Sequence, residues 1–189
     1  MSSHHIVREK QEPALLVLEL DNFPTEQLGQ LLEWSPTLIA TLDSAEQLHS
    51  SGIKIDLIIS DGEGGHLQSD VNLLNAGDDN FTDTAIKFLI ANNYPAVNII
   101  TNSFALKDYS YFSDKINIVI FCDYRKIFAV HSKFRKWKPA GETIELLTSV
   151  NNLRLEGLEK TGDNQYKTIH DGFFSIFFDA PFLFIAEAL

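Results

Sequence analysis

Apolar and polar positions change their pattern once along the chain, near Ile116. Upstream of it, short apolar runs alternate with amphipathic stretches. Ala14 to Leu20 reads as a buried strand, and Pro24 to Trp34 as a helix with proline in its first turn and an acid near its start. Thr37 to Thr41 is a second strand, and Asp43 to Leu48 a capped helix that Gly52 stops. Ile55 to Ile59 makes a third strand and Val71 to Leu74 a fourth. Asn80 or Thr82 caps the next helix, whose apolar positions Ala85, Phe88 and Leu89 fall on one face. Asn92-Asn93-Tyr94-Pro95 ends it, and Val97 to Thr101 is again a strand. Strands alternating with helices predict right-handed βαβ units, an α/β fold with a Rossmann-like parallel sheet.

Downstream, Ile116 to Phe121, Lys126 to Val130, Thr143 to Leu147, Leu153 to Leu155, Phe173 to Phe178 and Phe182 to Ile185 are short strand-like runs. Turns such as Asp123-Tyr124 and Pro139-Ala140-Gly141 separate them. They predict a small antiparallel, sandwich-like all-β domain. The expected division is residues 1–132 for the α/β domain and residues 133–189 for the β domain. Phe173, Phe174, Phe177, Phe178, Phe182 and Phe184 crowd the last strands, which suits a sandwich core or an oligomer interface. The basic cluster Lys133 to Lys138 reads as a solvated segment between domains, with Trp137 packed there.

The stretch from Ile55 to Asp83 carries the candidate chemistry. A continuous aliphatic run breaks into Ser60-Asp61-Gly62-Glu63-Gly64-Gly65, and a second short run into Asp78-Asp79-Asn80-Phe81-Thr82-Asp83. Ligands of open α/β sheets sit beyond the carboxyl ends of strands, so two acidic turns there place carboxylates where a cation and a phosphate meet. Oxygen-only ligands suit Mg²⁺. The same residues also make good turns without any ligand.

Composition narrows the partners. Of 189 residues, 44% are hydrophobic and 22% charged, as in ordinary globular domains. Lys and Arg number 15 against 26 acids, a net charge of −11 that argues against nucleic acid or an anionic membrane as the partner. No apolar run is long enough to span a bilayer, and the N-terminal residues lack the apolar centre of a signal peptide. Cys122 is the only cysteine, which rules out an internal disulfide. A cytoplasmic protein is expected. His4 and His5 are adjacent but have no ligand company, while Ser60 and Ser103 lack a His-Asp signature for nucleophilic hydrolysis.

From about Pro36 onward the chain resembles the thiamine pyrophosphokinase family. The family's strand ending in Gly-Asp-Phe-Asp-Ser is similar to Ser60-Asp61-Gly62-Glu63-Gly64, and its Asp-x-Thr-Asp turn to Asn80-Phe81-Thr82-Asp83. Gly141 to Leu147 and Val150 to Leu158 look like its β-domain strand and Val-x-x-Leu-x-x-x-Gly-Leu stretch. Asp123 sits at its acidic turn, and Ser175 to Ile185 is similar to its last hairpin. The resemblance implies a homodimer that transfers a diphosphate from ATP to thiamine. It further implies Mg²⁺ held by Asp61, Glu63 and Asp83, with Asp78 or Asp79 as helpers. Asp43, Ser44, Thr82, Lys107 and Asp108 fall at its nucleotide-binding positions.

Several family positions differ. The early Asp-Gly-Gly-Ala turn reads Leu42-Asp43-Ser44-Ala45, without either glycine. Gly-Gly-Arg-x-Asp-His aligns with Phe104 to Tyr109, so Leu106 stands for the phosphate-facing arginine and Tyr109 for the histidine. The Ser-Asn-Glu thiamine motif is not recognisable near Tyr166-Lys167-Thr168. A lysine at 107 is a point charge and does not replace a bidentate guanidinium. The expectation is retained Mg²⁺ binding with weak or absent thiamine phosphorylation. The alternative function is a catalytically inactive relative acting as a nucleotide- or metabolite-binding, regulatory dimer.

Overall fold

The computed structural model describes residues 12–21, 23–62 and 71–189. The chain divides into two compact units, Met1–Ile118 and Val119–Leu189.

The first unit holds strands β1 (Ala14–Val17), β2 (Leu38–Thr41), β3 (Leu57–Ser60), β4 (Asn72–Asn75) and β5 (Ala96–Ile100). Helices α1 (Thr25–Leu32), α2 (Leu42–Ser50) and α3 (Phe81–Ala91) lie between them in sequence, and α4 (Leu106–Ser110) follows β5. All five strands run parallel in the order β5-β1-β2-β3-β4. Every residue of β1 and β2 is buried, which is why these strands read as unbroken apolar runs rather than alternating ones. β4 is mostly exposed, and its asparagines suit the sheet edge. The chain steps outward from β1 to β4, then returns to the far side of β1 as β5. The winding therefore reverses between β1 and β5, and a crevice opens at the carboxyl ends there.

Local chemistry fixes how two helices leave the sheet. Thr41 is the last residue of β2 and the N-cap of α2: its hydroxyl accepts from the Ser44 N–H at 3.4 Å and donates to the Leu18 carbonyl at 2.8 Å. Strand passes into helix with no loop, so no glycine is required. Asn80 caps α3 by accepting the Asp83 N–H at 2.7 Å. α4 has only five residues and no periodic apolar face, so hydrophobic spacing gave no sign of it.

The second unit is entirely antiparallel. β6 (Asn117–Cys122) and β7 (Arg125–Val130) form a hairpin whose two loop residues, Asp123 and Tyr124, both have positive φ, as the favoured two-residue turn demands. β8 (Phe134–Lys138), β9 (Thr143–Leu146), β10 (Asn151–Glu156), β11 (Leu158–Gly162), β12 (Gln165–Thr168), β13 (Gly172–Asp179) and β14 (Leu183–Ala188) follow. One sheet runs β11-β12-β9-β14-β7-β6, and a second is β10-β13-β8. The two pack through Val130, Ile144, Leu146, Phe174, Ile176, Phe178, Leu183 and Ile185. Among the described residues no α-helix follows Ser110.

Two differences from the sequence reading have clear causes. The units part at Ile118, before the expected boundary at residue 132, because the β6–β7 hairpin already belongs to the antiparallel pairing. Lys133 to Lys138 is no solvated connector: Phe134–Lys138 is β8, paired with β13 along its length. The alternating Lys and Arg hid it, since Phe134, Lys136 and Lys138 turn inward although two of the three are charged.

Candidate functional site

The crevice at the winding reversal encloses about 270 Å³. Leu18 and Glu19 enter it from the exit of β1, Thr41 from the end of β2, and Thr101 and Ser103 from the exit of β5. Phe81 and Thr82 come from the first turn of α3, and Asp108 and Tyr109 from α4. Phe104 stacks flat on Tyr109, with ring centroids 5.6 Å apart, which holds the α4 wall in place.

Glu19 cross-braces the floor. Its carboxylate accepts the Asn102 N–H at 2.8 Å and the Thr101 hydroxyl at 3.2 Å, tying the exit of β1 to that of β5. Asn102 in turn donates from its side chain to Asp21 at 2.9 Å. The amino ends of α2 and α3 both open at this edge, where backbone N–H groups and the helix dipole favour an anion. Hydroxyls of Thr82 and Ser103 add donors, while those of Thr41 and Thr101 are committed to the Leu18 carbonyl and to Glu19. Among the described residues no lysine or arginine lines the crevice, whereas two carboxylates do.

The residues singled out from the sequence fall in several places. Thr82 and Asp108 are brought together in the crevice wall. Asp83 lies one residue on, in the first turn of α3, partly buried. Asp61 follows β3 and is exposed. Glu63 lies outside the described residues. Asp43 is exposed in the first turn of α2, while Ser44 is buried and its hydroxyl donates to the Leu18 carbonyl at 3.1 Å. Lys107 is exposed on α4. Asp79 pairs with Lys87 at 2.6 Å, and that hydrogen bond raises the lysine above its usual range. Among the described residues no three His, Cys, Asp or Glu side chains gather as a metal cage.

Sequence reasoning missed Glu19, Thr41, Thr101 and Ser103 as wall residues. A signal was present, since Thr101 directly follows a buried strand and Glu19 comes two residues after one, in the place where such crevices form. Which two strand exits would be adjacent depended on strand order, and spacing along the chain does not carry that.

A parallel α/β unit with a hydroxyl-lined crevice at its winding reversal, followed in the chain by an antiparallel two-sheet unit, defines the architecture. Solved structures share it. The chain is similar to thiamine pyrophosphokinase from Bacillus subtilis at 13% identity, covering 93% of this chain and 98% of that one with a TM-score of 0.67. It is similar to the Candida albicans thiamin pyrophosphokinase at 11% identity, 93% and 90% coverage and a TM-score of 0.65. For the yeast thiamin pyrophosphokinase the values are 10%, 97%, 88% and 0.69. No protein-family model matches the chain, and no curated protein sequence does. The chain has the thiamine pyrophosphokinase fold, which is the level at which the resemblance read from its sequence is met.

Proposed function

We propose that the crevice is a nucleotide site on a Rossmann-like unit, and that the protein is a cytoplasmic, thiamine-pyrophosphokinase-like homodimer. Its reaction is Mg²⁺-dependent transfer of diphosphate from ATP to thiamine. One observation carries the reading: the crevice lies at the winding reversal of an α/β unit, in a chain whose fold matches thiamine pyrophosphokinases over 93% of its length.

The residues present fit a magnesium ion. Asp61 at the exit of β3 and Asp83 at the start of α3 offer carboxylate oxygen, and α3 packs on β3. Mg²⁺ takes one or two carboxylates and completes its shell with water and phosphate, so a full protein cage is not needed. Glu63 is the third proposed ligand. When bound, the ion supplies neutralisation of phosphate charge. The chain's own groups position the nucleotide. Thr82 and the N–H groups of α3 donate to phosphate oxygens, and Asp108 lines the same crevice from α4. The family resemblance adds Asp43 and Lys107 as outer nucleotide contacts; they lie exposed on α2 and α4, outside the crevice wall. Ser44 acts by holding the β1 exit, because its proton is committed to Leu18.

A second reading, a binding or regulatory module without catalysis, is favoured by the crevice wall itself. Two carboxylates line it and no cation does, while Leu106 occupies the arginine position. Removing one preorganised electrostatic donor typically costs about 10²–10³-fold in rate. Thiamine diphosphate formation from ATP, thiamine and Mg²⁺ decides between the two. Turnover on the ordinary scale of about 1–10 s⁻¹, lost in Asp83→Asn, establishes the enzyme. No turnover, with Mg²⁺-dependent nucleotide binding that Asp61→Asn abolishes, establishes the module. Absence of both activities rejects the site.

A further inference from the structure

A second pocket, in the antiparallel unit, has no role in the crevice chemistry. The three-stranded sheet ends at β8, whereas the larger sheet runs past β7 to β6. In the step between them lies a cavity of about 270 Å³ lined by Val119, Lys126, Phe128, Phe134, Arg135 and Lys136. Phe128 and Phe134 meet edge to face at 6.1 Å and form its apolar wall.

The charges beside it do not balance. Glu187 is only 4% exposed and sits directly across from Lys126 in the β14–β7 register. Lys136 holds both oxygens of Glu187, at 2.9 and 2.6 Å, and Lys138 reaches it at 3.2 Å. Glu142, 3.5 Å from Lys138, takes up part of the surplus. Lys126 has no ion pair among the described residues; its ammonium lies 6.0 Å from the Phe128 ring centroid. Burial and the neighbouring Lys136 push Lys126 below the usual lysine range, with Lys138 adding to this and Glu187 opposing it. Three ammonium groups thus face one buried carboxylate, in a protein whose net charge is −11. Such a surplus is strained alone and complementary to an incoming anion.

We propose that this pocket binds a small organic anion, one flat ring bearing a phosphate monoester or carboxylate, with the anion on Lys126 and Lys136 and the ring on Phe128 and Phe134. The cavity is below the usual drug-sized range of roughly 300–1,000 Å³, which limits the ligand to a single ring. The ring gains apolar burial, and the anionic group gives the unpaired Lys126 a partner.

Calorimetric titration of the full-length protein tests this with phenyl phosphate, benzoate, inorganic phosphate and phenol. Phenyl phosphate or benzoate should bind at least about tenfold more tightly than inorganic phosphate or phenol, since only they offer both ring and charge. Lys126→Met should weaken that binding about tenfold or more, and Lys126→Arg should retain it. The melting temperature of Lys126→Met should not fall, which separates a lost ligand contact from a lost fold. No binding of either ring-bearing anion at millimolar concentration overturns the proposal. So does unchanged affinity in Lys126→Met, which would place the anion elsewhere.

Discussion

Glu187 shows how a single residue can organise an unpromising set of charges. Its carboxylate is the shared partner of Lys136 and Lys138. Removing one member of a buried pair leaves the others uncompensated, which costs 3–5 kcal/mol when both are fully buried. Lys136 is about one-third exposed, so Glu187→Gln should cost less, about 2 kcal/mol, read as a lower urea midpoint at unchanged slope. Lys126 works in the opposite direction. Its folded-state pKa lies below the ordinary 10.5, so between the two values the unfolded chain holds more protons and stability climbs with pH. At neutral pH the ammonium therefore destabilises the fold. Lys126→Met should be more stable than the wild type near neutrality, with the advantage shrinking as pH rises to 10.5; parallel urea titrations across that range measure it. Residue identities alone showed the cluster as basic. Its surplus over one buried carboxylate needed Glu187, 51 positions from Lys136.

At the scale of elements, the corner between β10 and β11 is decisive, because the chain changes sheets there. Gly157 occupies it with φ +74°, and a Cβ would lie 3.0 Å from the Phe173 carbonyl oxygen and 3.2 Å from the Phe174 Cα. Both obstacles are backbone and cannot swing aside. Its own carbonyl accepts the Ile169 N–H, so the corner also anchors the chain after β12. Gly157→Ala should cost about 2 kcal/mol or more through left-handed strain and overlap together, measured by thermal or urea unfolding. The Glu156-Gly157-Leu158 triplet was legible as a family-like feature, but its physical requirement became visible only beside β13. Elements with strong apolar runs, such as β1, β2, β3 and β5, were readable directly. β8 and α4 were not: one is masked by charge and the other too short for a period.

For the whole molecule, the outer face of the three-stranded sheet bears on assembly. Trp137 and Phe173 are register partners, 53% and 52% exposed, with Arg135 stacked 4.1 Å from the Phe173 ring. Aromatic and arginine side chains on an open sheet face are the usual anchors of a protein contact. If the proposed homodimer uses it, light scattering at micromolar concentration should report twice the chain mass, and Trp137→Glu with Phe173→Glu should return a folded monomer. A monomeric wild type would reject the dimer. The crowded phenylalanines otherwise divide by the pleat: Phe174 and Phe178 face the core, while Phe173 and Phe177 face out.

The sequence by itself determined the kinds of element and their order. Buried parallel strands must be apolar along their length, and helix caps and glycine stops act within a few residues, so both leave a local record. It also marked the change to antiparallel pairing, since short strands need turns at short intervals. Only the tertiary structure decided which strand exits share a crevice. Strand order places Glu19 beside Thr101 across 82 positions, and brings Thr82 and Asp108 to one crevice, and nothing local encodes those distances. It also decided that Lys136 and Lys138 turn inward to a buried acid, because burial of a charge is set by where its partner lies in space.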